Sequence, residues 1–123
     1  MAKRILIVDD EPRYLRLLEA NLRTEGYEVA TAQDGVQALD VFSAQPIDLV
    51  LLDVMMPRLD GFGVIEQLRQ NPETRDLPVI VISAKELTDE EAKKLKESVT
   101  FVMKKQGFDG ERLVREISTA LEK

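Results

Sequence analysis

Near its N-terminus the chain reads Ile5-Leu6-Ile7-Val8-Asp9-Asp10-Glu11-Pro12, an unbroken aliphatic block that runs straight into acid. A strand with one face in water alternates apolar and polar side chains. A continuous block is the mark of a strand covered on both faces. Leu49-Val50-Leu51-Leu52 before Asp53 and Val79-Ile80-Val81-Ile82 before Ser83 repeat the pattern. Val99-Thr100-Phe101-Val102-Met103 before Lys104 gives a fourth strand, and Tyr27 to Thr31 a weaker fifth.

Between these blocks the period changes from strand to helix. Leu15, Leu18 and Leu22 fall at helical spacing, with Gly26 as a stop signal. Asp34 can cap a second helix that buries Val36, Leu39 and Phe42 and ends before Pro46. Phe62, Ile65 and Leu68 mark a third, ending near Asn71-Pro72. Thr88-Asp89-Glu90-Glu91 fits a capping box for a fourth, whose apolar stripe is thin, mainly Ala92 and Leu95. Asp109 opens a fifth, with Leu113, Ile117 and Leu121 facing inward. Strict alternation of strand and helix predicts a doubly wound α/β fold: a five-stranded parallel sheet, helices on both faces, right-handed crossovers.

Composition narrows the chemistry. The 123 residues suit a single domain over 1–123, and 33% charged residues with 44% hydrophobic ones mark a globular chain. A net charge of -6 argues against direct nucleic-acid binding, which demands a concentrated basic patch. There is no cysteine and no histidine, which removes disulfides, thiolate and imidazole metal sites, and serine–histidine or cysteine–histidine catalysis. Asp9 and Asp10 interrupt the first apolar run far too early for a signal peptide or membrane span, so the expectation is a soluble, cytoplasmic protein.

The informative polar residues share a position in the pattern. Asp9 and Asp10 close the first strand, Asp53 the third, Ser83 the fourth and Lys104 the fifth. In an open parallel sheet all strand C-termini lie along one edge, where ligands bind. Converging carboxylates repel one another unless compensated, and an oxygen-rich site of this kind suits a hard divalent cation such as Mg²⁺. With a lysine, a serine hydroxyl and exposed backbone N–H groups, the edge forms an anion clamp suited to a transferring phosphoryl group. The nucleophile would be a carboxylate. Singly, each residue has a structural reading: acids cap helices, Asp53 and Met55-Met56-Pro57 make a turn, and Lys104-Lys105 is a solvated pair. Capping does not explain why acids, hydroxyl and lysine all choose one sheet edge.

These segments resemble the receiver domains of bacterial response regulators. The matching stretches are Ile5 to Pro12, Leu51-Leu52-Asp53-Val54-Met55-Met56-Pro57 with Asp60-Gly61, Val81-Ile82-Ser83-Ala84, and Lys104. The resemblance implies a flavodoxin-like sheet of strand order 2-1-3-4-5 with five helices. It implies Asp53 as phosphoacceptor for a partner histidine kinase or phosphotransfer protein. Asp10, Asp53 and the Met55 backbone carbonyl would ligate Mg²⁺, with Asp9 acting mainly through water. Lys104 would pair with phosphoryl oxygens, and Ser83 would bond the phosphoryl group and shift on activation. Phe101 would be the aromatic switch, and Ala84 would leave room and donate a backbone N–H. The implied output surface is the fourth helix, fifth strand and fifth helix, addressed to an output domain, an effector or a second copy of the chain. Such a domain promotes its own phosphorylation and slow dephosphorylation but acts as a signalling switch, not an enzyme.

The C-terminal third differs from the common pattern and is more similar to receivers of hybrid sensor kinases. Lys105 stands where proline is usual, and a lysine there favours a trans bond. Met55 and Lys85 are the positions expected to tune the lifetime of the modified state. Three other readings compete. A dehalogenase-type phosphatase needs a second acid two residues after its aspartate nucleophile, where this chain has Met55. A flavin-binding protein needs a hydroxyl- or glycine-rich phosphate loop where Asp9-Asp10-Glu11-Pro12 stands. A pseudo-receiver would bind partners without phosphorylation.

Overall fold

The computed structural model describes residues 2–53, 61–83, 88–104 and 109–122. Strands β1 (Arg4–Val8), β2 (Glu28–Ala32), β3 (Leu49–Leu52), β4 (Val79–Ser83) and β5 (Phe101–Lys104) alternate with helices α1 (Pro12–Thr24), α2 (Gly35–Ala44), α3 (Gly61–Gln70), α4 (Asp89–Ser98) and α5 (Gly110–Leu121). The strands form one parallel sheet in the order β2-β1-β3-β4-β5. The expected class, strand order and helix number are all observed.

The aliphatic blocks form central strands because both of their faces are covered. Ile5, Ile7, Leu49, Leu51, Ile80 and Ile82 point to one side and meet Leu15, Leu18 and Leu22 of α1 and Leu113, Ile117 and Ala120 of α5. Leu6, Val8, Val50, Leu52, Val79 and Val81 point to the other and meet Ala38 of α2, Val64, Ile65 and Leu68 of α3, and Leu95 of α4. Every residue of β3 and β4 is buried. A buried leucine, isoleucine or valine contributes about 1.5–3 kcal/mol relative to exposure, so these two layers hold the sheet edge in place.

Helix ends follow their residue chemistry. Gly26 adopts φ +91° and closes α1 in a Schellman turn, with Gly26 N–H donating to the Arg23 carbonyl at 3.0 Å and Tyr27 N–H to Leu22 at 3.1 Å. The Asp34 carboxylate caps α2 by accepting from Gln37 N–H at 2.9 Å. The expected capping box of α4 is present: Thr88 Oγ1 accepts from Glu91 N–H at 3.1 Å and Glu91 Oε1 accepts from Thr88 N–H at 3.0 Å. The Asp109 carboxylate caps α5, accepting from Glu111 N–H at 3.0 Å. After α3, Arg69 Nη1 donates to the carbonyls of Arg75 at 2.8 Å and Leu77 at 2.9 Å, pinning the turn into β4.

Some inward positions differ from the sequence expectation. On α2, Val36 is 36% exposed and Leu39 half-buried, while Ala38 is fully buried. The small Ala38 faces the sheet, which turns the bulkier Val36 outward and leaves Val41 and Phe42 at the margin of the core. On α5, Ala120 takes the inward position and Leu121 packs at its edge. Val64 of α3 joins Ile65 and Leu68 in the core. Strand β5 begins at Phe101, two residues later than the hydrophobic run suggests, because Val99 N–H still closes α4 by donating to the Leu95 carbonyl at 2.8 Å. Among the described residues, no helix is long and apolar enough to cross a membrane.

Candidate functional site

The C-terminal edge of the sheet collects the acids. Asp9 follows β1 and Asp53 follows β3, and the two strands are paired in register up to Val8 and Leu52. The ladder continues one step further: Asp53 N–H donates to the Val8 carbonyl at 2.9 Å and Asp9 N–H to the Ala32 carbonyl at 3.1 Å. These bonds fix the backbone on which both carboxylates stand. One carboxylate oxygen from each of Asp9, Asp10 and Asp53 lies within 4.8 Å of the others. Asp9 and Asp53 are only 3% and 4% exposed, and Asp10 lies open to solvent. Asp9 Oδ1 accepts from Glu11 N–H at 2.9 Å, so the first acid also holds the turn into α1.

A cluster of three carboxylates, two of them buried, is electrostatically costly unless a cation joins it. Opposed oxygen ligands of Mg²⁺ lie roughly 4 Å apart, close to the span of this triad, so the donor set fits a hard divalent ion. Buried Asp34, by contrast, is accounted for as the α2 cap.

The other two polar ends sit across the sheet. Ser83 is the last residue of β4 and 3% exposed, and Lys104 is the exposed last residue of β5; the two are register partners. Phe101 begins β5 as a half-buried ring packed on the α1–α5 face of the core. The structure thus brings Asp9, Asp10 and Asp53 together and sets Ser83 beside Lys104 along the same edge. Met55, Ala84, Lys85 and Lys105, with Met56, Pro57 and Asp60, lie outside the described residues. One contact near the site has no sequence signal: the Arg112 guanidinium lies over the Phe101 ring. It joins the first turn of α5 to β5, and no spacing rule links them.

The family of response regulator receiver domains matches residues 5–118, and the chain belongs to it. It is 51% identical over 84 residues to the response regulator PleD of Caulobacter vibrioides, a match covering 68% of this chain. The chain spans only 18% of that regulator's length. Among solved structures it is similar to the chemotaxis protein CheY4 of Vibrio cholerae, with 27% identity, a TM-score of 0.90 and coverage of 98% of this chain and 100% of that one. It is also similar to the signal receiver domain of a signal transduction histidine kinase from Syntrophus aciditrophicus, at 26% identity and TM-score 0.89, covering 98% of this chain and 91% of that one. It is therefore a receiver domain of two-component signalling, with the CheY-like arrangement of strands.

Proposed function

We propose that residues 1–123 act as one Mg²⁺-dependent phosphoacceptor switch, with Asp53 as the acceptor. The observation that carries this is the carboxylate triad around Asp53, beside the register-paired Ser83 and Lys104. An Asp53 carboxylate oxygen would attack the phosphorus of a phosphohistidine on a partner kinase or phosphotransfer protein. The P–N bond breaks, an acyl phosphate forms, and the released imidazole recovers its proton from solvent. The chain's lack of histidine fits a donor residue on another protein.

Asp10, Asp53 and the Met55 carbonyl would hold Mg²⁺, with Asp9 acting through water. Bound there, the ion would supply positive charge to offset that of the transferring group. Lys104 pairs with phosphoryl oxygens, Ser83 donates its hydroxyl, and Ala84 donates a backbone N–H. In this reading Phe101 follows Ser83, and the surface of α4, β5 and α5 changes for an output domain, an effector or a second copy. The acyl phosphate is a signal that the domain itself slowly hydrolyses. Its setting is the cytoplasm, with the kinase.

The test is intact mass after incubation with acetyl phosphate, with and without Mg²⁺, in wild type and Asp53→Asn. A Mg²⁺-dependent gain of one phosphoryl group, absent in D53N, is expected. No gain in folded wild type would support the pseudo-receiver reading, with Lys105→Pro as the first reversion to try. Phosphorylation of D53N equal to that of wild type would sink the assignment of Asp53.

A further inference from the structure

Arg112 lies against the proposed switch residue Phe101. Its guanidinium carbon lies 5.4 Å from the centroid of the Phe101 ring. Arg112 stands in the first turn of α5, where the Asp109 cap accepts from its backbone N–H at 3.3 Å. A helix N-terminus favours negative charge, so a cation there has a reason to seek another partner. No carboxylate among the described residues pairs with this guanidinium. The face of an aromatic ring is the partner it has found.

Phe101 is half-buried, stands opposite Ile80 of β4 and packs on the α1–α5 core. A ring whose face carries the guanidinium of an exposed arginine cannot reorient without disturbing that contact. We propose that Arg112 is a latch on Phe101. It favours the arrangement of β5 and α5 described above and opposes the rearrangement that accompanies modification of Asp53. This rests on the receiver reading and adds to it a residue on α5 that sets how readily the domain switches.

The experiment uses the full chain, isotope-labelled at phenylalanine, with acetyl phosphate and Mg²⁺ as donor and cofactor. Ring resonances of Phe101 and the rate of phosphoryl uptake are measured in wild type, Arg112→Met, Arg112→Lys and Arg115→Met. Arg112 and Arg115 are both exposed, so these changes leave the core intact. In R112M the Phe101 resonances move before any donor is added and uptake accelerates roughly two- to fivefold, the population change an exposed cation–π contact supports. R112K falls between, and R115M behaves as wild type. An R112M rate equal to the wild-type rate overturns the latch, whether or not the ring resonances move. A wild type that takes up no phosphoryl group overturns the receiver reading itself, and the latch falls with it.

Discussion

Ser83 and Lys104 are register partners at the last positions of β4 and β5, so a buried hydroxyl and an exposed ammonium stand side by side at the sheet edge. Adjacent parallel strands send register partners to the same face. The two can therefore address one anion from one side. Removing the lysine charge leaves the apolar core untouched, since Lys104 is an exposed residue at the end of its strand. Lys104→Ala should keep folding stability within about 0.5 kcal/mol of wild type. It should slow phosphoryl uptake from acetyl phosphate by about 100-fold, the usual effect of removing one positioned electrostatic group. Ser83→Ala should slow it about tenfold, the worth of one hydrogen bond. Stopped-flow or timed mass measurements check both, and wild-type rates would remove these residues from the chemistry.

The acidic triad predicts a stability change with metal. A ligand that binds only the folded state at tenfold its Kd adds about 1.4 kcal/mol, a rise of a few degrees in Tm. Wild type should gain this from Mg²⁺, while Asp10→Asn and Asp53→Asn should gain little. Without Mg²⁺ both variants should melt above wild type, because each removes one of three clustered negative charges. Thermal unfolding with and without Mg²⁺ decides it. Variants that melt below wild type in metal-free buffer would contradict the electrostatic reading.

Helix α4 separates a local from a global effect. Thr88→Ala deletes the capping box and should cost about 1 kcal/mol, seen as faster amide exchange confined to α4. Leu95 is 1% exposed in the sheet core, so Leu95→Ala should cost roughly 2–5 kcal/mol and lower the global denaturant midpoint. Hydrogen exchange read residue by residue distinguishes the two. Equal patterns in both variants would mean that α4 does not fray independently of the sheet.

Tyr27 gives a pH-dependent prediction. Burial, and then the charges of Glu25 and Glu122, raise its phenol above the ordinary value of 10.0. A group with a raised folded pKa contributes stability that is complete below the unfolded pKa and is lost as pH rises through the folded one. Wild type should therefore lose stability relative to Tyr27→Phe as pH rises above about 10. Urea midpoints for the pair, followed from neutral pH into that range, should diverge only at the alkaline end. Parallel curves would show that the phenol titrates normally.

Much of the architecture is legible along the chain because burial on both faces leaves an unmistakable record. Ile5 to Val8, Leu49 to Leu52 and Val79 to Ile82 have no polar residue to place in water, and all are buried in the sheet. Thr88 with Glu91, Asp34 and Asp109 announce their helices through side chains that accept backbone N–H groups. Helix phase is less legible where the apolar residues allow two inward faces. On α2 the choice of Ala38 over Val36 comes from the close approach of helix and sheet, which only packing decides.

The candidate site divides in the same way. The sequence alone placed an acid, a hydroxyl or an ammonium after each block of aliphatic residues, and the alternation of strand and helix implies that these ends share one edge. Their separations were not in the sequence. The 4.8 Å gathering of Asp9, Asp10 and Asp53 depends on the register of β1 with β3, set by hydrogen bonds between segments distant along the chain. The pairing of Ser83 with Lys104 depends likewise on β4 and β5. The seat of Arg112 over Phe101 depends on how α5 returns across the sheet. Local chemistry thus selects which residues end the strands; long-range pairing fixes the distances between them, because ångström-scale spacing is a property of packed elements and not of residue order.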